Sequence, residues 1–589
     1  MIASFRTHWR LFTIAVFLSL ALVSIHYFIE TPRGASFDYN LSWFEAFRTA
    51  FWQGDLYPRY TSELWYGKGG LDFLFYGPLP FWFTSIMAEI TCAGCSTSQA
   101  FSVASAWILI LSGVSFFLFA RRFFPTAWAG FGAIIYVVLP FHYIINWYFG
   151  QTIGAITAQA LLPLLALSMC QIIEDRKGGP LFAVSIAALA LSHLPSMLII
   201  AHFIPVFVIC AALTKHRERR EQLALLVRFI PWGLLGIALS AFYWVPAIGL
   251  LGSVSAEMLH TDYYDPTHWL YLDGVRENDP FRTRNHKSVL ISVVACALAA
   301  GSLMRARQNG SSLFLWIIVP SAFVAFAMTI VSYPIWKFWI LSKIQFPDRT
   351  LVVADLALAL AAIVVTRHVL SGLWQSTPFR NRLMIYFAGV AFFGAFVLPL
   401  NEAGKVLEQG RTAPREYLPV APLEYIPPTF KQLAYDRFLQ RDLDGISNAD
   451  LFHVFFKEMD RGFQLAEAAF ESDAPNARLN AEIHDRYSLQ VAPAGAREIR
   501  LPIIYWPYWQ AFSSTGDSLS VSEDPELGII RLTVPEGVSE ITLELAETGP
   551  QKIGSSLSVL ALFIFLLAAL APRIRFLTPS EKPLATSLP

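Results

Sequence analysis

Leu41-Ser-Trp-Phe-Glu-Ala-Phe-Arg-Thr-Ala-Phe-Trp52 carries Phe44, Phe47 and Phe51 on one helical face and Ser42, Glu45 and Thr49 on the other. A helix so divided suits a membrane surface, and the chain on either side of it supplies the membrane-spanning runs. Residues 11–30 precede it. They are apolar, long for a signal peptide and not followed by a small-residue cleavage site, so they read as an anchor that stays. Further apolar segments lie near 98–120, 126–145, 151–172, 180–195, 197–213, 227–251, 288–304, 312–332, 350–366, 383–400 and 554–571. With the first, that makes about twelve spans, since a hydrocarbon core of roughly 30 Å needs about 20 helical residues. Composition agrees: the 589 residues are 55% hydrophobic and only 15% charged, against about 25% charged in a soluble domain. The 44 Lys and Arg balance 44 Asp and Glu, so nothing points to a polyanion. A purely soluble enzyme and a nucleic-acid-binding module are both excluded.

Short loops rich in Lys and Arg stay in the cytoplasm. Here Arg6/Arg10, Arg121/Arg122, Arg176/Lys177, Lys215/Arg217/Arg219/Arg220, Arg305/Arg307, Arg380/Arg382 and Arg573/Arg575 recur after every second span. Both termini are then cytoplasmic, provided that residues 73–90 do not cross. Their Gly77-Pro-Leu-Pro80 start and the aromatic run Phe81-Trp-Phe83 predict a second interfacial helix instead. Residues 31–97, 253–287 and 401–553 face outward. From 401 the chain is polar and Pro-rich, with a helical pattern around 428–470. Alternating runs follow at Tyr487–Val491, Glu498–Leu501, Gly528–Val534 and Glu540–Leu545, the pattern of a small antiparallel β-sandwich. The fold class expected is an all-α polytopic membrane protein with interfacial helices in its first outer loop and a C-terminal extracytoplasmic, mostly-β domain. Its parts are a transmembrane domain over 1–400, the outer domain over 401–553, a final helix over 554–572 and a cytoplasmic tail over 573–589. Of five cysteines, Cys92 and Cys95 fall on the oxidising side, where they form either a disulfide or an idle reduced pair.

The outward segments hold the candidate site residues. Asp38, just past the first span, is placed to act as general base toward an acceptor hydroxyl while the other substrate stays in lipid; it would equally serve as an N-cap. Asp55 and Asp72 sit beside glycines and read as turn residues. Arginine can hold a phosphate through two parallel hydrogen bonds, and Arg59, beside Tyr57, and Arg349 both lie at the outer interface; a headgroup or Asp348 contact is the plainer alternative. His193, in Ser192-His-Leu-Pro195, is either a ligand-facing group or a hydrogen-bonded helix-end residue. Asp262 and Asp265 sit among Tyr263, Tyr264 and Trp269, as carboxylates do in sugar-binding clefts and as aromatics do at interfaces. No phosphate-binding Gly-rich loop, zinc-protease helix or hydrolase nucleophile motif is present. The spans are charge-poor, with neither repeated halves nor buried midplane charges, which argues against a secondary transporter.

Gly54-Asp-Leu-Tyr-Pro-Arg-Tyr60 with Phe75-Tyr-Gly-Pro-Leu-Pro80 resembles the opening of the bacterial membrane proteins labelled 6-pyruvoyl-tetrahydropterin synthase-related. Leu139-Pro-Phe-His-Tyr143, Ala160-Leu-Leu-Pro163, Ser192-His-Leu-Pro195, Ala241-Phe-Tyr-Trp-Val-Pro246, Ile344-Gln-Phe-Pro-Asp-Arg349 and Glu416-Tyr-Leu-Pro419 are similar to that family's blocks, in the same order. Leu501–Trp509, Val534–Gly537 and Gly554–Ser558 resemble the outer β-domain and closing helix of the related YfhO-like proteins. The resemblance implies a GT-C type fold. It also implies a glycosyltransferase that takes sugar from a polyprenyl-phosphate carrier at the outer face of the bacterial cytoplasmic membrane, whatever the family label says of its chemistry. Asp38 takes the place of the base, and Gln345 and Arg349 match the family's Gln-Phe-Pro-Trp-Arg block. Asp348 stands where relatives usually have Trp, and Gly150 and Ala155 where they often have Arg and Glu.

The expected reaction is an inverting transfer to a glycan, lipid or protein acceptor. Asp38 takes the acceptor proton, and Arg349 or Arg59 stabilises the leaving phosphate with a divalent cation, Mg or Mn, as the cofactor the chemistry admits. The alternatives are a lipid or polysaccharide transporter and a non-catalytic envelope assembly protein.

Overall fold

The computed structural model describes residues 36–260, 264–272, 280–304, 312–371, 377–410, 422–439, 448–482 and 485–574. The expected first span at 11–30, Asp262, the basic residues Arg6, Arg10, Arg305 and Arg307, and the tail beyond 574 lie outside the described residues. Among the described residues nine helices are long and apolar enough to cross a membrane. They are α3 (Thr97–Ala120), α4 (Thr126–Val138, prolonged by a wider turn to Gly150), α5 (Ile153–Cys170, prolonged to Asp175), α7 (Leu194–Lys215) and α8 (Arg219–Leu239), then α10 (Pro280–Met304), α12 (Leu351–Leu370), α13 (Phe379–Gly410) and α16 (Gly549–Ile574). Two expected spans are shorter: α6 (Gly179–Ser192, 14 residues) and α11 (Ser312–Ala327, 16 residues). At 1.5 Å per residue the first rises roughly 21 Å, short of the roughly 30 Å of a bilayer core.

The expected span at 227–251 is broken. Helix α8 ends at Leu239 and α9 (Ala241–Gly249) starts two residues later. The Ser558 hydroxyl of α16 enters the break, accepting from the Phe242 amide at 2.9 Å and donating to the Ala238 carbonyl at 3.0 Å. Gly554 makes this approach possible, since a Cβ there would lie 2.5 Å from the Ala241 carbonyl oxygen. Backbone groups freed by a break in an apolar helix need such a partner. No period-based reading of one segment anticipates it.

In the first loop, α1 (Phe37–Trp52) and α2 (Leu79–Cys92) form as helices, with Cys92 disulfide-bonded to Cys95 across a Cα separation of 5.3 Å. One expectation for α1 is corrected. Phe44 and Phe47 are buried, but so is Ser42 on the face expected to be polar, along with Asn40 and Trp43. The helix is wrapped by protein on most of its circumference. Trp43 stacks near Tyr76 (4.5 Å), Tyr425 (5.8 Å) and Phe81 (6.0 Å), and aromatic pairs at such spacing are favourable beyond their buried area.

Helices α14 (Pro428–Leu439) and α15 (Asn448–Asp473) precede eight strands: β1 (Arg478–Ala481), β2 (Arg486–Gln490), β3 (Arg497–Ile504), β4 (Trp509–Ser513), β5 (Ser518–Leu519), β6 (Val521–Glu523), β7 (Ile529–Val534) and β8 (Glu540–Leu545). They make two antiparallel sheets, ordered β1-β2-β8-β4-β5 and β3-β7-β6. Inward residues such as Ile499, Leu501, Trp506, Leu532 and Leu543 join Phe44, Phe73, Trp65 and Phe81 of the first loop in one continuous apolar core. The loop is therefore built into the β layers. The Tyr60 hydroxyl meets that of Tyr487 at 2.8 Å, Lys68 pairs with Glu467, and the Ile504 amide donates to the Lys68 carbonyl at 3.0 Å.

Candidate functional site

The start of α1 is clamped onto the turn that ends α4. The Ser36 amide donates to the Gly150 carbonyl at 3.2 Å, and Asn40 Nδ2 donates to the Ser36 and Gln151 carbonyls at 2.8 and 2.7 Å. Gly150 thus contributes its main chain here. Asp38 sits half-buried in the first turn of α1, where the helix dipole favours a carboxylate. The N-cap position itself belongs to Ser36.

Beside Asp38, the Tyr39 phenol is raised above its ordinary value by burial and then by the charges of Glu424, Tyr264 and Asp38. Glu424 belongs to the short turn Leu423–Tyr425, far along the chain. Burial pushes its carboxyl up to about 7, and the Arg349 guanidinium opposes the rise. Arg349 is hydrogen-bonded to Gln345, four residues back across an extended Phe346, and lies 5.7 Å from the Phe346 ring. Its charge also reaches Tyr76, whose phenol burial raises to about 12, and His193. Burial and then Arg349 keep the His193 imidazole well below its ordinary value, hence neutral at pH 7.

Two glycines bring the loop and the α6–α7 corner together. A Cβ on Gly77 would meet the Leu191 carbonyl oxygen at 2.4 Å. On Gly154 it would meet the Ser192 carbonyl oxygen at 2.7 Å and the Tyr76 hydroxyl at 2.8 Å. His193 itself caps α7: its Nδ1 lies 2.8 Å from Ser196 Oγ and 3.3 Å from the Ser196 amide. The structure thus gathers Asp38, Tyr39, Tyr76, His193, Gln345, Arg349 and Glu424 at the end of the bundle that carries the β layers.

The other candidates are placed elsewhere. Arg59 lies 4.5 Å from the Tyr57 ring and lines a separate cleft against Asp485, while the Tyr57 hydroxyl donates to the Phe73 carbonyl at 2.9 Å. Asp265 accepts from the Thr267 amide and hydroxyl at 2.8 and 2.7 Å, capping the turn Pro266–Trp269, with Lys337 at 3.7 Å. Asp55 accepts from the Tyr57 amide within its own turn. Asp72 is fully buried, takes the Trp43 indole N–H at 3.2 Å, and burial pushes its carboxyl up to about 7. Asp348 lies 2.5 Å from His286 of α10, both side chains buried.

Two features escape the sequence reading. Glu424 carries no local motif; its neighbourhood exists only because a distant turn folds back over α1. The second is a correction to the expectation of spans without buried charge. Asp355, within α12, is fully buried and accepts a hydrogen bond from Gln159 of α5, which also takes one from Asn146 at 3.2 Å. A single carboxylate inside an apolar run is the signal that marks it.

The family model described as 6-pyruvoyl-tetrahydropterin synthase related domain, membrane protein, matches residues 73–398. No curated protein matches the sequence. Among solved structures, the chain is similar to the oligosaccharyltransferase of Archaeoglobus fulgidus in its apo form, at 13% identity and a TM-score of 0.42 over 76% of this chain and 59% of that one. The chain thus spans about three fifths of that enzyme's length. It is also similar to ArnT from Cupriavidus metallidurans bound to undecaprenyl phosphate, at 10% identity and a TM-score of 0.41 over 91% and 98% of the two chains. A third likeness is to the arabinofuranosyltransferase AftD from Mycobacteria, at 14% identity and a TM-score of 0.43 over 92% of this chain and 40% of that one. The family match covers more than half of the chain and takes in Tyr76, Gly154, His193, Gln345 and Arg349: the protein belongs to the 6-pyruvoyl-tetrahydropterin synthase-related family of membrane proteins.

Proposed function

We propose that this protein is a membrane glycosyltransferase of GT-C type. It transfers a sugar from a polyprenyl-phosphate donor to a hydroxyl of a glycan, lipid or protein acceptor at the outer face of the bacterial cytoplasmic membrane, with both termini inside. The observation that carries the reading is the convergence of a half-buried carboxylate, Asp38, with Arg349 and Glu424 at one mouth of a helical bundle.

Asp38 accepts the proton of the acceptor hydroxyl, the freed oxygen attacks the anomeric carbon from the face opposite the phosphate, and the C–O bond to polyprenyl phosphate breaks. The bonding electrons leave with the phosphate, whose added charge Arg349 stabilises. Gln345 orients that guanidinium through their hydrogen bond. Neutral His193 adds no competing charge. Among the described residues no three His, Cys, Asp or Glu groups converge on one point. Asp38 and Glu424 are the residues that would hold Mg or Mn, which would supply charge neutralisation.

The test is incubation of purified protein with polyprenyl-phosphate sugars, following release of the free carrier. General-base help is worth about 10²–10⁴-fold, so Asp38→Asn lowers turnover by that range while the protein stays folded. Wild-type turnover in the variant refutes the role of Asp38; no turnover by the wild type with any donor refutes the transferase. One observation favours a second reading, export of a lipid-linked glycan: the buried Asp355–Gln159–Asn146 chain inside the bundle. Flux across vesicles that Asp355→Asn abolishes and Asp38→Asn spares would establish it.

A further inference from the structure

The seam between the first loop and the β layers holds a second polar cleft, of about 200 Å³, lined by Arg59, Asp485, Tyr508 and Glu547 over an apolar floor that includes Leu71 and Leu74. Two atoms of its lining residues are shut off from solvent and have no hydrogen-bond partner among the described residues: Arg59 Nε, a donor, and Asp485 Oδ1, an acceptor. Asp485 is held in left-handed backbone conformation, φ 60°, at the edge of β2, and the Tyr57 ring fixes one face of the guanidinium at 4.5 Å. Buried polar atoms are almost always paired in a folded protein, so an unmatched donor and an unmatched acceptor on two residues that line one cavity point to a missing partner.

The chemistry of that partner follows from the lining. An anion would gain Arg59 and meet Asp485 and Glu547; a cation would gain the carboxylates and meet Arg59. A hydroxyl serves both, because it donates to a carboxylate and accepts from a guanidinium at once. Neighbouring hydroxyls on one ring would satisfy Asp485 and Arg59 together, while the ring's C–H face settles on the leucines and Tyr508. At about 200 Å³ the cavity is large enough for one sugar ring.

We infer that this cleft is a saccharide-binding site, distinct from the Asp38–Arg349 mouth. It holds a neutral sugar ring by hydroxyl contacts to Asp485 and Arg59. On the transferase reading, and resting on it, the bound ring is part of the acceptor, held by the β layers.

The test uses the full-length protein in nanodiscs and saturation-transfer NMR with methyl glucoside, methyl galactoside, methyl mannoside and the corresponding uronates. Expected are transfer to the ring protons of at least one neutral glycoside, weaker transfer to its uronate, and a loss of fivefold or more in both Asp485→Asn and Arg59→Met. Asn tolerates the left-handed backbone, and Met keeps the apolar stem, so both variants retain the fold; Asp38→Asn retains binding. No transfer from wild type to any glycoside overturns the inference, as does undiminished transfer in both variants. Carrier release measured on the same samples separates the two claims. Binding without release refutes the transferase and leaves the cleft standing, whereas release without binding refutes the cleft.

Discussion

Arg59 and Arg349 carry the same head group, and as sequence they read as interchangeable phosphate ligands. In the structure Arg349 is tied to Gln345 and faces Glu424, Tyr76 and His193, with Asp38 nearby across Tyr39. Arg59 lies on a tyrosine ring and faces Asp485 across a cleft with an apolar floor. The first setting suits a charge that grows during a reaction; the second suits a neutral ligand with many hydroxyls. What separates them is the company each keeps, and that company comes from segments far away in the chain.

The sharpest way to break this contrast is kinetic. Removing a preorganised donor from a developing oxyanion costs about 10²–10³-fold in turnover, so Arg349→Met should lose that much kcat. Arg59→Met should instead raise the acceptor concentration needed for half-maximal rate. Equal losses of kcat in the two variants would erase the distinction.

Next in size is a pH effect at the buried Asp72 under α1. Burial raises the Asp72 carboxyl from its ordinary value near 3.8 to about 7. A carboxyl whose folded pKa is raised binds its proton more tightly in the folded state, so stability falls as pH rises from about 4 to about 7 and then levels off. Asp72→Asn keeps an acceptor for the Trp43 indole and removes the charge. It should stabilise the protein by something on the order of 3 kcal/mol at pH 8 and by little at pH 4. Thermal melts at the two pH values decide it; a gain that does not depend on pH would refute the buried charge.

Gly154→Val tests how closely Tyr76 and the α6–α7 corner are held. Overpacking there should cost about 1–3 kcal/mol and lower activity through Tyr76 and His193, while saccharide binding at the Arg59 cleft persists. Loss of both functions together would show that the two sites are not independent. Smallest is Lys68→Ala, which removes the link from the loop to Glu467 of α15, the helix that precedes the β layers. The Glu467 side chain is 57% exposed, so the loss should be below about 1 kcal/mol and should shrink with added salt. A larger, salt-insensitive loss in the melt would mean that this pair anchors the loop.

Much of the architecture was legible. The apolar runs at 98–120, 126–145 and 350–366 are helices, the alternation at 487–491 and 540–545 is β-sheet, and the first loop carries the two expected helices beside two single turns. The break at Ser240 was hidden, because nothing in residues 227–251 shows that Ser558 will enter it. The burial of Ser42 was hidden too, since a polar residue on a helix is read as solvent-facing until another layer covers it. Within the site, Asp38 and Arg349 could be named from residue type and position. Glu424 could not, because its role depends on a turn near residue 424 lying over a helix that begins at residue 37.

The sequence alone determined that this chain is a membrane protein with helical runs followed by β layers, since apolar length and periodicity are properties of consecutive residues and act before any distant contact forms. Only the tertiary structure decided which carboxylate faces which arginine and where a buried donor lacks a partner. Electrostatic and hydrogen-bond energies depend on separations of a few ångströms, and here those separations are set by side chains that close packing brings together from opposite ends of the chain.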